Sequence, residues 1–358
     1  MSKVSWINFK RSDFSNIQEL LAKSYQNNQL TNGGPVVTLL EEFFRQKLQI
    51  DESRCVIAVN NGALGLYCLI NGINIAEGYN AKYATQAFTF PCANQGPCQN
   101  SEIVDLDSSL YTLDLNQLNS LDIDGIIVTH LFGNSSPIDN FLYWAEENQK
   151  ILIFDNATAP FTFYKGSNVN NYGDGCIISL HHTKTLGLGE GGLIIAKKKY
   201  ETAIRRCINF GFRINEGAIK YSPLGINAKM SEISAAFILD YVSRNFDQII
   251  KHQQYTYNQF KRRLNEISQV KLFPDYSDSN SGGPFVSCFA LIFNRKITND
   301  DLQICELSGI TARKYYTPLK DLLVSKHLFD RILCLPCHLE VDSAVLDRYI
   351  NLIKLLLN

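Results

Sequence analysis

Short unbroken apolar runs alternate with helical patterns over roughly residues 55–196. The runs at 55–59, 103–106, 125–128, 151–154, 176–180 and 193–196 mostly lack the polar alternation of a strand that is wet on one side. Strands apolar on both sides suit a largely parallel sheet covered on both faces. Segments at 63–72 and 139–149 have the helical character needed to cover such a sheet. The first 50 residues read as mainly helical, because LLEEFFRQKL at 39–48 repeats its apolar positions at helical spacing. From Ser231 a helical stretch runs to about Ile267. Strands near 285–293, a helix near 299–307 and a terminal helix at 344–357 follow. The pattern predicts an α/β chain with a large sheet-bearing domain at 1–245. A smaller α+β domain follows at 246–358, with the boundary inside the long helix.

Composition narrows the class. With 358 residues the chain is long enough for two domains, and no internal repeat or low-complexity stretch interrupts it. Charged residues make up 19%, fewer than the usual quarter, which argues against disorder and for a surface partly covered by a partner subunit. Net charge is −1 and no basic stripe is present, so no nucleic-acid partner is expected. The run Lys197-Lys198-Lys199 reads as a solvated edge. MSKVSWINFKR lacks an apolar signal core, and no apolar run reaches the ~18 residues of a membrane span. A soluble, cytoplasmic protein without a membrane partner is expected. Ten cysteines scattered along so large a chain suit reduced thiols. Cys334-Leu335-Pro336-Cys337-His338 matches a haem-attachment pattern, but haem attachment needs export, and the segment reads instead as a short strand at 332–335 stopped by proline. No metal is called for.

Three pieces of chemistry sit on or just after predicted strands, where open α/β sheets bind ligands. Asn60-Asn61-Gly62-Ala63 follows the first run and opens a helix, whose free N–H groups favour a phosphate. Asp155 ends the run at 151–154. The segment SLHHTKTLGLGEGG, 179–192, places Lys184 between a strand end and a glycine-rich turn. Gly187, Gly189 and Gly192 spell G-x-G-x-x-G, but they lead into a strand rather than a helix, which rejects the dinucleotide reading. Among apolar and glycine neighbours Lys184 is expected to be buried, where a lowered pKa makes it an amine nucleophile. A lysine for an imine, an acid for a ring nitrogen, a phosphate cradle of Gly62, Ala63 and Ser179, and an aromatic face from Phe90 together meet the needs of pyridoxal phosphate.

With these residues in place the chain resembles the DegT/DnrJ/StrS sugar aminotransferases, of the fold-type I pyridoxal-phosphate architecture. The likeness runs nearly end to end, through LTNGGP (30–35), NNGALGLYCL (60–69), AFTFPCAN (87–94), FDNATA (154–159), SLHHTKTLGLGEGG, GINAKMSEISAA (225–236), ARKYYTPL (312–319) and LPCH (335–338). The resemblance implies a large domain with a mostly parallel seven-stranded sheet between helices and a smaller C-terminal domain. It implies that Lys184 carries the cofactor and shuttles the proton, that Asp155 pairs with the ring nitrogen, and that Phe90 stacks on the ring. Ser179 with the Gly62 and Ala63 amides would hold the phosphate. Asn227 would reach it from the neighbouring subunit of a homodimer with shared sites. His181, Lys229, Arg313 and Tyr316 become substrate-side candidates, while His130 reads as structural. Two positions depart from the family: Ala63 stands where threonine is usual, removing one phosphate hydroxyl, and Thr158 stands where a longer glutamine or histidine often contacts the cofactor. Some relatives carry histidine in place of the lysine and dehydrate sugars, but here the lysine keeps its position and His182 lies two residues away. H-x-T-K, N-A-K-M-S-E and A-R-K-Y-Y resemble the branch acting at C4 of dTDP-4-keto-6-deoxyglucose. The implied reaction takes an amino group from glutamate and gives dTDP-4-amino-4,6-dideoxyglucose (viosamine), a product type that feeds O-antigen and lipopolysaccharide biosynthesis. Amination at C3, sugar dehydration and a non-catalytic regulatory role are the alternatives.

Overall fold

The computed structural model describes residues 3–215, 218–278 and 283–358. Its strands are β1 (Arg54–Val59), β2 (Tyr83–Gln86), β3 (Glu102–Val104), β4 (Gly125–Thr129), β5 (Ile151–Asp155), β6 (Phe163–Tyr164), β7 (Ser167–Asn168), β8 (Gly175–Ser179), β9 (Gly192–Lys197), β10 (Phe212–Asn215), β11 (Ala218–Tyr221), β12 (Val270–Leu272), β13 (Cys288–Phe293) and β14 (Ile332–Pro336). Its α-helices are α1 (Phe14–Gln26), α2 (Pro35–Lys47), α3 (Gly62–Glu77), α4 (Ile138–Glu147), α5 (Glu201–Cys207), α6 (Glu232–Leu264), α7 (Asn299–Leu307), α8 (Leu323–Arg331) and α9 (Ser343–Leu357).

The main sheet has seven strands in the order β1-β9-β8-β5-β4-β2-β3. The pairs from β3 to β8 are parallel, and β9 alone runs antiparallel to both its neighbours. Alternate residues of the apolar runs feed two different cores, as the two-residue period of a strand requires. Val56, Ala58, Val128, Phe154 and Ile195 face a core completed by α1, α2, α4 and the first half of α6. Cys55, Ile57, Ile127, Ile153 and Ile194 face a second core completed by α3 and α5. β2 was not expected as a strand. Its YATQ sequence hides two polar side chains whose needs are met within the sheet: the Thr85 hydroxyl donates to the Ile127 carbonyl at 3.1 Å, and Gln86 Oε1 accepts from the Thr129 N–H at 3.2 Å.

A three-stranded antiparallel sheet, β12-β13-β14, carries the second unit, with α7 and α9 against it. Helix α6 serves both units. Phe246, Ile249 and Ile250 pack with the large core, whereas Tyr257, Phe260 and Leu264 pack with the smaller one. We propose the division into units 1–245 and 246–358, with α6 running through the boundary and the change of core falling a little beyond it, between Ile250 and Tyr257. The first residues join the second unit, because Val4 pairs with Ile310 and its N–H donates to the Gly309 carbonyl at 2.8 Å.

Two of the quoted motifs meet at one contact. Glu232 is fully buried at the start of α6, and its carboxylate accepts from the Val36 and Val37 N–H groups at 2.7 and 3.0 Å and from the Ser24 hydroxyl at 2.7 Å. It thereby satisfies orphan donors at the N-terminus of α2 and meets the positive end of that helix. A Cβ on Gly34 would lie 2.6 Å from the Glu232 carboxyl carbon, so the glycine is required by close approach. All ten cysteines are free and buried. Cys334 lies in β14, and the Cys337 thiol donates to Gln253 Oε1 at 3.0 Å, so the haem-like pattern is occupied by strand and core.

Candidate active site

A cavity of about 420 Å³ opens between the C-terminal ends of the sheet strands and the second unit. Asn61, Gly62 and Ala63 follow β1, Thr129 ends β4, Asp155 ends β5 and Ser179 ends β8; Ser287, Cys288, Tyr315 and Tyr316 close the other side. Ligands in doubly wound sheets bind at this edge because loops and helix N-termini gather there.

Lys184 lies on the connection between β8 and β9 and faces the cavity. That connection folds back on itself: His182 N–H donates to the Gly189 carbonyl at 2.7 Å, Lys184 N–H to the His181 carbonyl at 2.8 Å, and Gly187 N–H to the Lys184 carbonyl at 3.0 Å. A Cβ on Gly187 would come within 2.2 Å of the His181 carbonyl oxygen, and Gly189 has a φ of +65°. The glycines therefore serve a tight return under the lysine, not a nucleotide. Burial lowers the Lys184 pKa from the ordinary lysine value, with the Asp155 charge opposing the shift. Among the described residues its ammonium donates no hydrogen bond. The side chain is thus free to react at its nitrogen.

Asp155 is almost completely buried, 1% exposed, and its pKa is raised by burial. Its Oδ1 accepts from the Ala157 N–H at 3.0 Å, which with the Lys184 charge works against that shift. A desolvated carboxylate with one hydrogen bond calls for a cationic N–H across the cavity. The phosphate end is also legible. Asn61 caps α3, with Oδ1 accepting from the Leu64 N–H at 2.9 Å, so the first amides of the helix open toward the cavity. Gly62 lies against Ser179: a Cβ there would be 3.1 Å from the serine Cβ. The buried carboxylate with its single hydrogen bond, the unengaged lysine amine and the helix N-terminus beside a serine fit pyridoxal phosphate.

The cavity brings together Gly62, Ala63, Phe90, Asp155, Thr158, Ser179, His181, Lys184 and Tyr316. Phe90 is 54% exposed at the rim. The Thr158 hydroxyl donates to the His130 carbonyl at 3.2 Å, so its hydrogen bond is directed to the backbone. His181 Nδ1 lies 2.8 Å from the Thr183 hydroxyl, and Nε2 lies 3.5 Å from Glu190. Asn227, Lys229 and Arg313 are not among the lining residues. Asn227 is exposed. Lys229 donates to Asn209 Oδ1 at 2.9 Å with its ammonium 4.3 Å from the Phe210 ring centre. Arg313 stands behind the wall: Nη1 donates to the Tyr315 hydroxyl at 2.6 Å, and the guanidinium lies 4.9 Å from the Trp6 ring centre. His130 is fully buried and stacks on Phe154 at 4.8 Å; burial takes its pKa down to about 3.

Sequence reading missed Trp6, Tyr315 and Cys288 as cavity walls. Trp6 arrives through the pairing of Val4 with Ile310, which has no local sequence signal. Tyr315 adjoins the expected Tyr316, and its place in ARKYYTPL was the available hint.

Comparison with known proteins gives the family and the fold. A dTDP-4-amino-4,6-dideoxy-D-glucose transaminase of Shigella dysenteriae is 24% identical over 353 residues, covering 92% of each chain. A GDP-perosamine synthase of Escherichia coli O157:H7 is 24% identical over 238 residues, 64% of each. The crystal structure of DesI with its TDP-sugar product superimposes with a TM-score of 0.84 at 21% identity, covering 99% of this chain and 93% of that one. Residues 12–354 match the DegT/DnrJ/EryC1/StrS aminotransferase family, and the chain therefore belongs to that family as a pyridoxal-phosphate-dependent aminotransferase.

Proposed function

We propose that the protein is a nucleotide-sugar aminotransferase that moves an amino group from glutamate to C4 of dTDP-4-keto-6-deoxyglucose, giving dTDP-4-amino-4,6-dideoxyglucose. The observation that carries the chemistry is Lys184 and Asp155 lining one cavity, each shifted by burial toward its neutral form. The substrate rests on the resemblance of motifs and on the Shigella relative.

Bound pyridoxal phosphate supplies an electron sink for the charge that develops beside the transferred nitrogen. Lys184 Nζ would hold the cofactor, and because burial favours its neutral form it would also take and return the proton at the amino-bearing carbon. Asp155 holds the proton on the ring nitrogen. The Gly62 and Ala63 N–H groups and the Ser179 hydroxyl hold the phosphate, and the Asn61 amide beside them makes up for the hydroxyl that Ala63 lacks. Phe90 covers one ring face. Asn227, exposed and outside its own cavity, completes the partner's phosphate site in a homodimer. Trp6, Tyr315, Tyr316 and His181 bound the space left for sugar and glutamate in turn.

Incubation with the ketosugar and glutamate tests the assignment by product mass. Amine gained in place of the carbonyl, with 2-oxoglutarate released, is expected. Loss of water without glutamate turnover marks a dehydratase and overturns it. A GDP-linked ketosugar run alongside reads the nucleotide preference.

A further inference from the structure

Lys10 lies 174 residues from Lys184 in sequence, yet its ammonium reaches the inside of the loop that carries Lys184. Three backbone carbonyls converge on its Nζ: His182 at 2.8 Å, Lys184 at 2.6 Å and Gly187 at 2.5 Å. The ring of Tyr241 lies on a further side, its centre 5.2 Å from the nitrogen. The Tyr241 hydroxyl in turn donates to the Thr185 carbonyl at 3.3 Å. An ammonium has three N–H donors and no acceptor, and here it meets three acceptors and an aromatic face. No carboxylate pairs with it among the described residues. The loop has turned three carbonyl dipoles to one point, an arrangement that needs a cation at its centre.

We infer that Lys10 is a positioning residue whose ammonium acts as a built-in cation, closing the 182–187 carbonyl ring and so fixing the direction in which Lys184 projects into the cavity. This rests on the reading of Lys184 as the cofactor's anchor for its functional consequence; the carbonyl ring itself does not. The N-terminal segment thus completes the active-site loop from outside the sheet, although nothing in FKRSDF marks it in sequence. Burial pulls the Lys10 pKa down to about 7, while the three carbonyls, which can only accept, favour the charged form.

The distances resemble those of carbonyl oxygens around a bare potassium ion, so a truncated side chain leaves a site that potassium can fill. The test uses the apo-protein, with hydrogen exchange of amides 181–189 as the readout, and the loaded protein, with the rate of cofactor loss. Lys10→Met is expected to speed exchange in that loop by roughly tenfold or more while leaving the protection of β4 and β5 unchanged. Cofactor loss is expected to accelerate by a similar factor. In Lys10→Ala, potassium chloride is expected to restore much of the loop's protection where tetramethylammonium chloride at equal ionic strength does not. If Lys10→Ala does not fold without potassium, folding in its presence supports the site and failure in both salts overturns it. Loop exchange and cofactor loss within twofold of wild type in Lys10→Met also overturn it. Borohydride trapping of the cofactor on Lys184 in the wild-type protein is run beside these variants, so an error about the anchor shows there and an error about Lys10 shows in the loop.

Discussion

Asp155 and Lys184 are each held away from the charge they would carry in water, and each needs what the cofactor provides. Replacing Asp155 by alanine removes the buried carboxylate of this cavity and should lower turnover about 10²-fold or more. Steady-state rates at saturating cofactor check this, and near-normal activity would remove Asp155 from its role. The same pair gives a pH signature. Attachment needs the neutral amine, which exists above the lysine pKa. Burial lowers that pKa, so the rate of cofactor uptake by apo-protein should rise with pH through a midpoint below the ordinary 10.5. Asp155 raises the Lys184 pKa, so Asp155→Ala should move the midpoint further down. Rapid-mixing absorbance across pH reads both. Asp155 was legible in sequence because it ends an apolar run, and Lys184 because it lies between a strand end and a glycine-rich turn. Trp6 and Lys10 were not, since their positions depend on where an extended N-terminal segment crosses the finished fold.

Among the elements, apolar runs announced β1, β4, β5, β8 and β9 to within a residue or two. β2 escaped because its polar side chains rely on contacts with β4 (the Ile127 carbonyl and the Thr129 N–H), and the chain displays no sign of that pairing. The helix α8 (Leu323–Arg331) also escaped, its amphipathic pattern being short and its cap coming from far away in sequence, where Asp105 accepts from the Val324 and Ser325 N–H groups at 2.8 and 2.9 Å. The meeting of α2 and α6 was legible only as two separate motifs. Their link predicts coupling: Glu232→Ala strands two backbone donors and a hydroxyl, and should cost about 2–4 kcal/mol of stability. Gly34→Ala, which drives a methyl into the same carboxylate, should destabilise too, and the double variant should fall short of the sum. Urea unfolding of the set checks this, and strict additivity would break the link.

At the scale of the whole molecule, the cavity is roofed by the second unit and the N-terminal segment, while Asn227 and the exposed Phe210 and Phe212 lie outside it. The low charge content pointed to a covered surface, and in the proposed homodimer with shared sites Asn227 would enter the partner's cavity. Asn227→Ala should weaken cofactor retention by about 1–3 kcal/mol, the cost of one lost hydrogen bond to a charged group. Mixed dimers of Asn227→Ala and Lys184→Ala chains should regain one intact site of two, measurable as activity on mixing two poorly active proteins. No recovery would rule out the sharing.

Covalent mapping of the anchor puts the whole account at risk most directly. The purified protein is loaded with pyridoxal phosphate, reduced with borohydride, digested and sequenced by mass spectrometry. The added cofactor mass should fall on the peptide that contains Lys184, and Lys184→Ala should take up none. Cofactor mass on a different lysine, or an undiminished label in Lys184→Ala, would contradict it.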